Sequence, residues 1–186
     1  ATKTLHIGAM QAADSKDYFY GIVLPNVNLS KEGEGTQVIA NIEADPSRYI
    51  FVKEGTLEMG SLGEFYRIVV SNGARAEIGF STSSKANTWG NNGQYRYYDL
   101  VGNDIDLSDS SKIQGNVVLT DKIYDRAFEG RASESTITVT YLDPTTYTKD
   151  TLTVVGADLA VFNPNTGRDA GLSSIGTITF CTTEYL

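Results

Sequence analysis

One cysteine, one histidine, one tryptophan and four prolines are spread over 186 residues, and each scarcity removes a class of chemistry. The lone Cys181 can close no intramolecular disulfide and build no all-cysteine metal site, so packing, ions or neighbouring molecules must hold the fold. The lone His6 lies in the N-terminal segment, a poor place for a catalytic base. That leaves no base titrating near neutrality for a triad, and no histidine-rich zinc or iron site. No Walker-type loop and no GxGxxG sequence cradles phosphate. Acidic residues outnumber basic ones by 23 to 15, for a net charge of -8 and a pI of about 4.6, so a nucleic acid is repelled rather than steered in. No run approaches the ~18 apolar residues of a membrane-spanning helix. Paired carboxylates could run a glycosidase only if the fold positioned them, and the sequence alone does not. These exclusions point to a non-enzymatic protein with neither nucleic acid nor membrane as its partner.

What the chain has in quantity is Val, Ile and Thr, with 11 Tyr, 7 Phe and 18 Gly. Branched and aromatic side chains favour pleated, half-buried surfaces, and the glycines cut the chain into short pieces. Strands are expected over 17–24, 37–42, 48–53, 65–71, 75–81, 94–101, 113–120, 135–142 and 176–182. Ser135 to Leu142 alternates most clearly, with Ile137, Val139 and Tyr141 on one face. A strand pair is expected to run from Ile137 through Val155. Asn72-Gly73 reads as a two-residue hairpin turn, since both residues accept positive φ. Asp121 to Arg131 has the spacing of a helix of at most two turns. No repeat at a fixed period is visible, which argues against a solenoid. The expected fold is therefore all-β, a single jelly-roll-like β-sandwich with an N-terminal donor strand.

Residues 1–16 read as donor strand and tether, and 17–186 as the sandwich domain. Thr4, Leu5, His6, Ile7, Gly8, Ala9 and Met10 have strand periodicity, with Leu5, Ile7 and Ala9 on one face and a polar stretch after them. Such a segment either folds back into its own sheet or completes the sheet of another copy. Gly8 suits the second use, because a missing side chain lets a strand seat closely. Exchange between copies is a heterologous contact, which generates open filaments or tubes.

Calcium is the expected ion, because it takes six to eight oxygens and acidic turns supply them. Asp104, Asp106 and Asp109 form the best cluster; Asp143 with Asp150, and Glu32 with Glu34, are further candidates. Trp89, Tyr95 and Tyr97 suggest an alternative, the sugar platform of a calcium-dependent carbohydrate-binding module.

The opening Ala-Thr-Lys-Thr-Leu-His-Ile-Gly-Ala-Met, the acidic β-rich body and the lack of disulfides resemble the cannula subunits of hyperthermophilic archaea, secreted proteins that build extracellular tubules. The resemblance implies a jelly-roll-like sandwich, a homopolymer in which related subunits can join, donor-strand exchange through Thr4 to Met10, and polymerisation promoted by calcium. An Ala1 start fits removal of a signal peptide and an extracellular location.

Overall fold

The computed structural model describes residues 2–19, 21–24, 26–43, 45–82, 88–89, 95–96, 100–101, 105–124, 136–142, 149–155, 162–163, 167–168 and 177–181. In chain order the first strands are β1 (Lys3–Ile7), β2 (Lys16–Phe19), β3 (Ile22–Val23), β4 (Val27–Lys31), β5 (Thr36–Glu43), β6 (Tyr49–Val52), β7 (Thr56–Leu62), β8 (Arg67–Val70) and β9 (Arg75–Thr82). Short strands follow: β10 (Thr88–Trp89), β11 (Tyr95–Arg96), β12 (Leu100–Val101) and β13 (Ile105–Leu107). A 3-10 turn, Ser110–Lys112, leads into β14 (Ile113–Gln114) and β15 (Asn116–Tyr124). The remainder are β16 (Thr136–Leu142), β17 (Lys149–Val155), β18 (Phe162–Asn163), β19 (Gly167–Arg168) and β20 (Thr177–Cys181).

Two parallel sheets organise the first two thirds of the chain. One has the order β1-β4-β6-β8-β14; the other runs β2-β5-β7-β9-β15, with β3 also on β5, β12 on β9, and β20 closing it antiparallel to β15. Successive strands therefore alternate between sheets, and each pairs with a strand one turn earlier or later. This is a β-solenoid of stacked coils.

The all-β expectation holds, but the jelly-roll sandwich does not. A jelly roll is made of antiparallel neighbours, whereas β1-β4, β4-β6, β6-β8 and β8-β14 are all parallel. Asn72-Gly73 does form a tight turn, with Ala74 N donating to Ser71 O at 3.0 Å and Gly73 at φ 85. It is a corner rather than a hairpin, because β8 and β9 leave it for different sheets. The helix expected at 121–131 is also corrected where it is described, since β15 continues as strand to Tyr124. Residues 125–131 lie outside the described residues. The strand pair expected between Ile137 and Val155 is present, with β16 antiparallel to β17 and Val139 opposite Leu152.

Side chains stack in columns because parallel pairing in register puts like positions above one another. In the first sheet Leu5, Leu29, Ile50, Ile68 and Ile113 form one column. Leu29, Ile50 and Ile68 are fully buried, and burial of each such side chain stabilises by about 1.5–3 kcal/mol. In the second sheet Ile39, Met59, Ile78 and Leu119 make the facing column. Ile42 enters the same core although it lies only three residues after Ile39, which an unbroken pleat forbids. The chain bends there, and the pairing of β5 with β7 passes from Ile39–Met59 to Asn41–Ser61 across the bend.

The other corner, between the sheets, is marked in every coil by a glycine at positive φ: Gly8, Gly33, Gly55, Gly73 and Gly115. Beneath it lies one anomaly. Lys31 occupies the column of Ile7, Val52 and Val70 and is fully buried. Its Nζ donates to Glu32 O and Gly33 O, each at 2.7 Å, and reaches Glu54 O at 3.4 Å. The ammonium thus satisfies corner carbonyls that turn inward, while burial pushes its pKa down and Glu54 opposes that shift.

Candidate assembly edge

The N-terminal segment forms the first coil. β1 runs parallel to β4 in the register Lys3–Val27, Leu5–Leu29 and Ile7–Lys31, and Glu32 N extends the ladder to Ile7 O at 2.9 Å. Among the described residues β1 has a strand neighbour on one side only. Its grip on the core is slight. Ile7 packs against the core, whereas Leu5 is 39% exposed and His6, Ala9 and Met10 lie at the surface.

The stretch after Met10, read from sequence as the tether, forms with Gly8 a hydrogen-bonded corner. Gln11 N donates to Gly8 O at 2.9 Å and Ser15 N to Ala12 O at 3.0 Å. The Gln11 amide donates to Asp17 Oδ2 at 2.8 Å and to Gln37 Oε1 at 3.2 Å, fixing the corner to both β2 and β5. Gly8 has φ 73, and a methyl there would meet Glu32 O at 2.8 Å. Close backbone approach, the use expected of Gly8, is therefore met here within one chain.

β2 is exposed at every residue, and Tyr18 and Phe19 are 64% and 53% exposed. With Leu5 and Met10 they place four large apolar side chains at the surface of one end of the solenoid. Sequence reasoning did not single out Tyr18 and Phe19, because their alternation reads as an ordinary half-buried strand.

One side-chain cluster ties β1 down. His6 Nδ1–H donates to Glu32 Oε1 at 2.7 Å, Ser30 Oγ donates to the same oxygen at 3.1 Å, and Lys53 Nζ reaches it at 3.2 Å. The His6 hydrogen bond, reinforced by Lys53, holds the Glu32 carboxyl at about 2. Three coils are joined by one carboxylate. The sequence offered Glu32 as a calcium ligand and His6 as a strand residue, with no signal that they meet.

The remaining calcium candidates do not converge among the described residues, where no three His, Cys, Asp or Glu side chains gather. Glu34 is exposed at the corner between β4 and β5. Asp106 Oδ1 accepts Ser108 N at 2.9 Å and Ser108 Oγ at 2.6 Å. Asp109 Oδ1 accepts Ser111 N at 3.0 Å and Ser111 Oγ at 2.6 Å, and these bonds lower its pKa. Each aspartate thus folds its own turn. Asp150 lies in β17 in register with Tyr141, while Asp104 and Asp143 are outside the described residues. Of the sugar-platform residues, Trp89 pairs in register with Tyr95, and Tyr97 is outside the described residues.

Compared with known proteins, the chain matches no protein-family model, no curated protein and no solved structure.

Proposed function

We propose that the chain is a structural subunit of an extracellular tubule or filament, of the kind the cannula resemblance implies, polymerising by exchange of its N-terminal strand. The observation that carries this reading is the weak seating of β1, an edge strand that pairs with β4 but packs only Ile7 against the core. A strand held by its backbone ladder and the His6–Glu32 pair, with little core packing, can be given to β4 of another copy, which offers the same contacts. The exposed apolar side chains of the first coil supply a further gain when a neighbour covers them.

Calcium promotes the contacts between copies. An acidic surface repels its own kind, and a bridging cation relieves that repulsion. Glu34 and other singly placed carboxylates would share such an ion across the contact.

The test follows light scattering and electron micrographs of the full chain and of a chain lacking residues 2–10, each in calcium or chelator. Filaments or tubes from the full chain in calcium, and none after truncation, are expected. Identical polymers from both chains would reject strand exchange, and assembly indifferent to chelator would reject the ion.

The register pairing of Trp89 with Tyr95 favours the carbohydrate-binding module as the second reading. Glycan binding that disappears on Trp89→Ala, in a chain that never polymerises, would put it first.

A further inference from the structure

The corner that brings β1 onto the second coil is built in two parts. Residues 11 to 15 are seated on the coil beneath. Thr36 N donates to Ser15 O at 2.8 Å, Ser15 Oγ donates to Ala12 O at 2.8 Å, and a methyl on Gly35 would meet Ala12 O at 2.6 Å and Gln11 Cβ at 2.9 Å. Gly8 goes with the strand, and its carbonyl lies so close to Gly33 that a methyl there would run into it. Between the two parts stand Ala9 and Met10, both exposed, and the turn bond from Gln11 N to Gly8 O at 2.9 Å.

Gln11 is where the seated part begins. Its side-chain amide donates to Asp17 Oδ2 at 2.8 Å and to Gln37 Oε1 at 3.2 Å, with Thr36 O at 3.4 Å, and these acceptors belong to β2 and β5 of the chain's own second sheet. Its Oε1, by contrast, is buried with no hydrogen-bond partner. A seat that satisfies the donor and strands the acceptor holds less firmly than a fully bonded one, and withdrawal gives that oxygen water.

Reach makes this seat decisive. With Gln11 in place, Gly8 stays within three residues of it, at most about 10–11 Å. That suffices for the chain's own β4, but a second body standing alongside already needs about 10 Å between packed sheets. Released as far as Lys16, the first residue of β2, the same segment spans about 26–29 Å.

We infer that Gln11 governs the handover of β1: seated on Asp17 and Gln37 it keeps the strand on its own coil, and unseated it frees the strand for another copy. The inference rests on the assembly reading and names the regulation of that same edge. The β1–β4 ladder and the His6–Glu32 bond recur in the acceptor, so they cancel between self-paired and exchanged chains. The Gln11 bonds belong to the self-paired corner and do not cancel.

The test measures two quantities at neutral pH: the ratio of polymerised to monomeric chain by sedimentation in calcium, and the protection of β1 amides in dilute monomer by residue-resolved hydrogen exchange. Gln11→Glu sets a carboxylate against Asp17 Oδ2, Gln37 Oε1 and Thr36 O, all acceptors. It should raise the ratio at least about tenfold and speed exchange of the β1 amides. Adding Asp17→Asn to Gln11→Glu restores a donor and an acceptor at the wild-type net charge, and should bring the ratio back towards wild type. Glu32→Gln should speed β1 exchange in the monomer yet leave the ratio within about twofold, because both states lose the same bond. A ratio that Gln11→Glu leaves unchanged, where wild type polymerises and a chain lacking residues 2–10 does not, overturns the role of Gln11 and leaves strand exchange standing. A ratio raised equally in the single and double variants also overturns it, since the corner is then merely disturbed. A wild type that stays monomeric in calcium, or a truncated chain that polymerises as well, overturns strand exchange itself and the handover with it.

Discussion

His6 on the edge strand and Glu32 on the next coil are joined by a 2.7 Å hydrogen bond that Lys53, from a third coil, reinforces. The pair brings down the Glu32 carboxyl from 4.5 to about 2. A carboxyl whose folded value lies below its unfolded value contributes stability that is present above the unfolded value. That contribution is lost as pH falls through the folded one.

The first expectation is therefore local and acidic. Hydrogen exchange of the β1 amides should speed up, relative to the core, as pH falls from about 4.5 towards about 2. Glu32→Gln should flatten that dependence. Asp45 and Asp109, lowered by their serine partners, act on the same acid limb elsewhere, so the readout must be residue-resolved. If β1 protection in Glu32→Gln falls with acid as steeply as in wild type, the carboxylate is not what fastens the strand.

His6 and Ser30 are register partners on parallel neighbours and share a face, a spacing a disulfide accommodates. His6→Cys with Ser30→Cys, in a Cys181→Ser background, should polymerise when reduced and remain monomeric when oxidised. Equal assembly in both states would mean that subunits add to the outer edge of β1 without releasing it.

Gly55 and Gly73 both sit at corners with positive φ, but only one of them is crowded. A methyl at Gly55 would run into the backbone oxygens of Gly33, Glu34 and Gly35, whereas at Gly73 it meets nothing within 4 Å. Gly73→Ala should cost about 1–2 kcal/mol, the left-handed penalty alone. Gly55→Ala should cost clearly more, because the coil beneath must move. Urea unfolding midpoints compare them directly, and equal losses would mean that the coils do not stack tightly at this corner.

Leu5 and Ile50 belong to one column, yet Leu5 is 39% exposed and Ile50 is fully buried. Ile50→Ala should cost about 2–5 kcal/mol, and Leu5→Ala well under half as much in dilute monomer. At concentrations where copies associate, the cost of Leu5→Ala should rise as a neighbour covers the first coil. A Leu5→Ala cost that is already large in monomer would contradict the exposed end.

Much of the strand content was legible, because Val, Ile and Thr alternation marks a pleated surface whichever partner it meets. Arg75 to Ser81 is a strand for that reason, whereas Ile113 to Thr120, read as one strand, is two, β14 and β15, turned onto different sheets at Gly115. Direction was not legible. Asn72-Gly73 obliges a turn, but the turn is indifferent to whether the outgoing strand pairs with the incoming one or with an earlier coil. The repeat was hidden because separations between Leu5, Leu29, Ile50, Ile68 and Ile113 shrink from coil to coil and then jump across residues 83–112. A better signal was the positive-φ glycine a few residues after each aliphatic rung, at Gly8, Gly33, Gly55, Gly73 and Gly115. At the candidate edge the strand itself was readable from alternation. Its fastening was not, since His6, Glu32 and Lys53 are brought together only by stacking.

Lys31 gives the second coil a key that fits one slot. A slip of β4 by one residue against β6 would turn the ammonium out to water, strip Glu32 O and Gly33 O of their donor, and drive Ser30 or Glu32 into an aliphatic column. Purely aliphatic rungs would tolerate a slip of two residues far better, since that keeps the faces and replaces one branched side chain by another. Under the proposed exchange, a strand arriving at β4 would find a template that resists shifting beneath it, with the alignment of each new contact set before the strand lands.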